Sequence, residues 1–303
     1  MSDADLLRVP VGPGALHVER YGYGGEPVVL LHGFCTCSFL WRHVGPRLAI
    51  DGCSAFAIDL LGYGESDRPP EAAYGIAAQV DYVAHAMTAL RVARAAVVGV
   101  DIGALVALRL ASLRPDRVAA LAMIGPNWID DVPGPDVREL QNEAAKLALR
   151  GAAGTFAAQP LVAKLLHSSV ATPDMMPMRL AARYLAPYVG GDGAAQLLTL
   201  SQSLTDDDTS GIDLSAVATP ALVLRGTLDH WCEFATIERY AALLPKGKAL
   251  EVRGAGRLVP EESPRALSGE LLTFFKGAEA ESGLVAQGSS STNAAGTKRT
   301  SAA

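Results

Sequence analysis

Short apolar runs closed by turn residues constrain this chain more than any other feature. PVVLLHG (27–33), CSAFAID (53–59), AAVVGVD (95–101), VAALAMIG (118–125) and PALVLRG (220–226) all end at Gly or Asp. Runs this brief and this continuous suit strands covered on both faces. Helical periodicity occupies 77–93 before the third run and 103–113 after it, where Arg114-Pro115 stops the helix. The alternation predicts an α/β fold built on a mostly parallel, doubly wound sheet.

The stretch 128–215 breaks that rhythm. It carries helical patterns near 136–151, 156–168, 177–187 and 193–204 and no strand, so it reads as a helical cap inserted between two strands. The expected organisation is a core formed by 1–127 and 216–276, a cap over 128–215, and a tail over 277–303. The tail is small, polar and rich in Ser, Gly and Thr. Such a segment buries too little to offset its ordering entropy, and it is expected to be disordered. A chain of 303 residues can hold this as one large α/β domain with an insertion.

Composition narrows the partners. Half the residues are hydrophobic and 19% are charged, which excludes a disordered chain, and the net charge of -6 argues against a broad basic face for nucleic acid or anionic lipid. A small-molecule partner remains, with no signal for an oligomeric state. The opening MSDADLLRVP has two aspartates where a secretory leader needs a basic start, and no segment keeps about eighteen apolar residues together. The expectation is a full-length cytosolic protein with no membrane span. Cys35, Cys37, Cys53 and Cys232 form no C-x-x-C pair and no zinc-like spacing, so buried reduced thiols are expected and no metal.

Gly99-Val100-Asp101-Ile102-Gly103 has the form G-x-D-x-G. A strand run ends in it and an Ala/Leu-rich helix follows at once, as a strand-to-helix elbow requires. Small flanking residues let the chain turn sharply and present the central side chain beside a helix N-terminus, which favours an anion.

Around that elbow, LHGFCTCSFLWRHVGPRLA, FAIDLLGYGESDRP, VVGVDIGALVALRLA, ALVLRGTLDHW and VRGAGRLVPEESP follow one another in order and spacing. In these segments, over roughly 15–130 and 215–276, the chain resembles the α/β-hydrolase superfamily. It looks most like the branch of haloalkane dehalogenases and epoxide hydrolases, whose nucleophile is Asp. The resemblance implies Asp101 as nucleophile, the amides of Phe34 and Ile102 as oxyanion hole, and Asp229 as the acid that normally orients a histidine. A carboxylate can displace at a saturated carbon bearing halide or epoxide oxygen and leave an ester. His32 is read as a residue that holds its loop.

The chain departs from that pattern where the histidine belongs. The slot holds Arg257, and of the six histidines, His17, His32, His43, His85, His167 and His230, none follows 230. A guanidinium with a pKa above about 12 cannot take a proton from water. Asp101 and Asp229 are expected to face Arg257, whose charge favours ionised Asp101. Arg257 could instead hold an anionic or phenolic substrate group, or pair structurally with Asp229. His230 is a reserve base, whereas His43 reads as an ordinary loop residue and His85 as an ordinary helix residue. The halide-binding Asn and Trp that the resemblance implies for dehalogenases are replaced by Phe34 and Ile102, which have no side-chain donor. Epoxide hydrolases use cap tyrosines, and Tyr184 and Tyr188 lie one helical turn apart. Trp128, at the cap hinge with Asn127, Asp130 and Asp131, is a candidate pocket wall, and His167 is within reach of a pocket.

The leading expectation is therefore an atypical enzyme of this fold that acts on a small, largely apolar molecule without a cofactor, such as a tailoring enzyme of natural-product biosynthesis. Asp101 serves as acid/base or attacking carboxylate in ring closure, rearrangement, elimination or epoxide opening. The rivals are a working epoxide-hydrolase-like enzyme with another base, and a non-catalytic ligand-binding protein.

Overall fold

In the computed structural model, residues 4–126, 132–151, 158–205, 208 and 210–291 are described. Eight strands form one sheet: β1 (Asp5–Pro10), β2 (Ala15–Tyr21), β3 (Glu26–Leu31), β4 (Cys53–Ile58), β5 (Ala95–Val100), β6 (Val118–Ile124), β7 (Ala221–Gly226) and β8 (Gly247–Val252). Their order is β1-β2-β4-β3-β5-β6-β7-β8. The β1–β2 and β2–β4 pairings are antiparallel and the rest are parallel.

The five apolar runs are the five inner parallel strands β3 to β7, and every residue of β4, β5 and β7 is buried. The remaining three strands give no such run. In β1 exposed positions alternate with half-buried or buried ones, in β2 half-buried positions interrupt the buried ones, and in β8 Lys248 and Glu251 interrupt a strand that is only partly buried before Val252. Strands near a sheet margin give no continuous apolar run.

Register decides where function can sit. Leu31 lies opposite Ile58 and Gly99, Val100 opposite Ile124, and Ile124 opposite Leu224. The C-terminal ends of β3 to β7 are thus level, and the loops after them open on one crevice, the usual ligand position in an open α/β sheet. Helices Ile76–Ala89 and Ile102–Leu113 cover the sheet between these strands.

Between β6 and β7 the described residues hold helices Pro135–Gln141, Glu143–Gly151, Ala158–Ser168, Met178–Leu185 and Gly190–Gln202. The helix expected over 136–151 breaks at Asn142, whose ψ of 155° is extended and whose Oδ1 accepts the Ala145 N–H at 2.8 Å. That is the capping of a second helix, which Asn performs better than it sits inside one.

The disorder expected from residue 277 needs correction. The last helix runs Pro264–Ser291 and Ala278 is buried, so helix continues past Gly277. The segment GAEAES supplies Ala and Glu, both good helix formers, and the helix already docked from Leu267 onward supplies the nucleus. Residues 292–303 lie outside the described ones. All four cysteines are free and buried, and burial pushes the Cys232 thiol up to about 12.

A chain ending at Gly277 is therefore expected to lose about 1 kcal/mol relative to one ending at Ser291, the worth of one buried Ala methyl. Urea denaturation of the two chains measures the difference.

Candidate active site

Asp101 joins β5 to the helix Ile102–Leu113 with φ 56° and ψ −119°. A non-glycine residue held there costs about 1–3 kcal/mol, so the surroundings must impose it. Asp101 N–H donates to Ile124 O at 3.0 Å, and Asp101 O accepts Ala104 N–H at 2.9 Å. A Cβ on Gly99 would lie 2.1 Å from Gly103 O, and one on Gly103 would lie 2.5 Å from His32 O. Both elbow glycines are there because backbone passes against backbone.

The elbow brings Asp101 against the loop after β3. Its Oδ2 accepts the Phe34 N–H at 2.9 Å and its Oδ1 accepts from Arg257 Nη2. Asp101 is 5% exposed and Arg257 3%, so this is an ion pair removed from water. The guanidinium also lies 5.8 Å from the Trp231 ring centroid, within cation–π range.

Asp229 follows β7. Its Oδ1 accepts the N–H groups of Trp231 at 2.8 Å and Cys232 at 3.3 Å, while no donor among the described residues reaches its buried Oδ2. Burial pushes this carboxyl above its ordinary value, and the nearby Arg257 charge pulls the other way. Gly125, at φ 57°, passes beside both: a Cβ there would sit 3.4 Å from Arg257 Cγ and from Asp229 Oδ2.

His32 is fully buried. Its Nε2 accepts the Leu60 N–H at 3.0 Å, which leaves Nδ1–H to donate to Gly33 O at 2.8 Å. The neutral ring thus ties the loop after β3 to the loop after β4, and burial lowers its pKa.

The fold brings Asp101, Phe34 and Arg257 together and sets Asp229 beside them. Ile102 opens the elbow helix and its side chain is buried in the core. His230 is exposed. The helix carrying Tyr184 ends at Leu185, so Tyr188 belongs to the following 3-10 turn Ala186–Tyr188 and the two do not share a helix face. Tyr184 donates to Glu261 Oε2 at 2.7 Å, whereas the buried Tyr188 hydroxyl has no partner among the described residues. His167 Nε2 lies 3.1 Å from Met176 O within the cap. Trp128, Asn127, Asp130 and Asp131 lie outside the described residues.

Two kinds of residue escaped the sequence reading. Tyr63, from the loop after β4, packs edge-on to His32 and Phe34 with its hydroxyl buried and unpartnered among the described residues. Glu261 and Glu262 follow Arg257 and close the short helix Val259–Glu262, where an acidic pair gives no sequence signal beyond a solvated turn.

The cavity over Asp101 is lined by Phe34, Cys35 and Arg257 from the core and by Leu165, Leu166 and Ser169 from the cap. Its volume is about 10 Å³, room for roughly one water. A larger cavity of about 340 Å³ lies among the N-terminal ends of the inner strands and the last helix, lined by Val28, Cys53, Ala96 and Phe275, and includes no group of the Asp101 site. Among the described residues no cluster of three or more His, Cys, Asp or Glu is placed to hold a metal ion, and no helix is long and apolar enough to cross a membrane.

The family model for the alpha/beta hydrolase fold matches residues 26–264. The chain is 30% identical to a haloalkane dehalogenase of Agrobacterium fabrum strain C58, over 88% of this chain and 90% of that protein. It is 28% identical to epoxide hydrolase A of Mycobacterium tuberculosis H37Rv, over 87% of this chain and 95% of that one. The crystal structure of haloalkane dehalogenase DbeA from Bradyrhizobium elkani USDA94 aligns with a TM-score of 0.78 at 25% identity, over 92% of this chain and 100% of that chain.

Two outcomes follow from the electrostatics. Arg257→Leu leaves a buried carboxylate without its cation and is expected to cost about 3–5 kcal/mol, whereas adding Asp101→Asn to it should recover part of that loss. Denaturation of both variants and of Asp101→Asn closes the cycle. His32 has a folded pKa below its unfolded value near 6.5, so its contribution is present above pH 6.5 and is lost as pH falls from there toward the folded pKa. Wild type should lose stability faster than His32→Gln between pH 6.5 and 5, read from urea midpoints.

Proposed function

The chain belongs to the α/β-hydrolase fold family and is related to haloalkane dehalogenases and epoxide hydrolases; from that premise we propose that it is an atypical, non-hydrolytic enzyme working on a small, largely apolar molecule through Asp101 and Arg257. The observation that carries this reading is the buried Asp101–Arg257 pair, in which a permanent cation stands where the resemblance calls for a base. An ester on Asp101 would have no histidine beside it to activate water, and His230 is exposed.

The chemistry that remains keeps the substrate's own atoms. Asp101 takes a proton from one substrate atom, Arg257 stabilises the negative charge that develops, and the proton returns to another atom of the same molecule. Ring closure by a substrate hydroxyl onto its own epoxide fits this balance: the hydroxyl proton goes to Asp101, the C–O bond of the epoxide breaks, and its oxygen is protonated. Rearrangement fits it equally, as does an elimination that opens an epoxide to an allylic alcohol, in which Asp101 takes the carbon-bound proton, the C–O bond breaks and the freed oxygen, still on the molecule, is protonated. Asp229, with one oxygen held by backbone N–H groups and the other buried, lies near Arg257, whose charge works against the burial that pushes this carboxyl up. A role in natural-product tailoring agrees with this economy of means and is part of the proposal.

A second reading has an observation in its favour. Both Asp101 oxygens already hold donors, which suits a ligand-binding protein that performs no reaction.

Incubation with hydroxy-epoxides, haloalkanes and esters in ¹⁸O-labelled water tests both. The expected product is an isomer of its substrate with no ¹⁸O, and Asp101→Asn should lower its rate by about a hundredfold or more. Incorporation of one labelled oxygen would overturn the non-hydrolytic reading, and saturable binding without turnover would favour the second.

A further inference from the structure

Arg257 is bracketed by two backbone N–H groups, and both are tied to the cap. On one side the Leu258 N–H donates to Ser169 O at 3.0 Å. On the other the Gly256 N–H donates to Glu262 Oε2 at 2.8 Å, while the other oxygen of that carboxylate accepts the Ala171 N–H at 2.7 Å. Gly256 packs so closely that a Cβ there would lie 2.6 Å from Ala171 N. Trp231, beside Arg257, adds its Nε1–H to Ser168 O at 3.0 Å. One residue earlier, Glu261 accepts from Tyr184 of the cap and from both terminal nitrogens of Arg42. The same cap segment supplies Leu165, Leu166 and Ser169 to the cavity over Asp101.

We propose that Glu262 is a positioning residue that splices the cap segment Ser168–Ala171 to the Arg257 loop, holding Arg257 against Asp101 and sealing the cavity until the splice opens. The inference rests on the reading of Asp101 and Arg257 as the working pair. A carboxylate is suited to this task because its two oxygens each take one N–H, a charge-assisted bond on either side. Glutamine offers one acceptor oxygen and turns an N–H donor toward the other amide. Burial, with Asp229 and Glu261 close by, pushes the Glu262 carboxyl up, so its position is maintained against an electrostatic cost.

Cys35 is a built-in reporter, since it lines the cavity and is 1% exposed. Labelling with N-ethylmaleimide at constant pH, with each cysteine quantified by peptide mass spectrometry, reads the opening directly. Glu262→Gln is expected to label Cys35 about tenfold faster or more, the size set by losing one charge-assisted hydrogen bond. Cys53, at the far end of β4, should change by less than about twofold, and the control Glu71→Gln at an exposed site should change neither. Glu262→Asp, too short to reach both N–H groups, should give the same pattern.

Wild-type hydrogen exchange supplies a readout that needs no variant: the Ala171 and Gly256 amides should exchange through one opening, with equal protection. An unchanged Cys35 rate, a parallel rise at Cys35 and Cys53, or unequal protection of the two amides overturns the proposal. Failure of the catalytic reading would show separately, as full turnover by Asp101→Asn with the labelling pattern intact.

Discussion

The buried pair between Asp101 and Arg257 is the interaction around which the rest of this structure is arranged. Taking either ion from water costs on the order of several kcal/mol, and their attraction offsets this only when geometry is good and the remaining polar atoms are bonded. The fold goes part of the way, with the Phe34 N–H on the second Asp101 oxygen and an aromatic ring near the guanidinium, while no acceptor among the described residues reaches the buried Arg257 Nε. The acidic partner sits on a strained elbow, and the basic one comes from a loop 156 residues later. Neither position is stable without the other.

Strain and close packing explain why the site is so narrowly built. Asp101 keeps its left-handed backbone because Gly99, Gly103 and Gly33 let three chain segments approach within backbone contact of one another. Enlarging any of them would push the elbow away from the loop that supplies the Phe34 amide. The neutral His32 ring locks that loop from behind by bonding Leu60 and Gly33 at once. Such a site is preorganised for charge and nearly closed.

Charge placement sets what the site can do. Arg257 pairs with Asp101, and its charge opposes the burial that pushes the Asp229 carboxyl up. Asp229, freed from orienting a histidine, is held by backbone amides and keeps one oxygen buried and unbonded among the described residues. In an interior of low dielectric an unsatisfied acceptor is costly, and it persists here near two cations, Arg257 and Arg225, whose charges oppose the effect of burial.

Much of this was legible in the chain itself. Continuous apolar runs marked the five inner strands, because a strand buried on both faces tolerates no polar position, and the G-x-D-x-G elbow marked Asp101, because only glycine permits so close a turn. The absence of any histidine after 230 and the presence of Arg257 in its place were equally plain. Tyr184, Tyr188 and His230 show where one-dimensional spacing stops. Pro187 ends the helix that would have aligned the tyrosines, Glu261 claims one hydroxyl, and His230 turns outward while its neighbour Asp229 turns in. The sequence by itself determined the five inner strands, the elbow and the identity of the charges, since those depend on local sterics and on burial pattern. Only the tertiary structure decided which carboxylate Arg257 meets and that Glu262 bonds cap to core, because a hydrogen bond between residues far apart in the chain is fixed by packing and leaves no local periodicity to read.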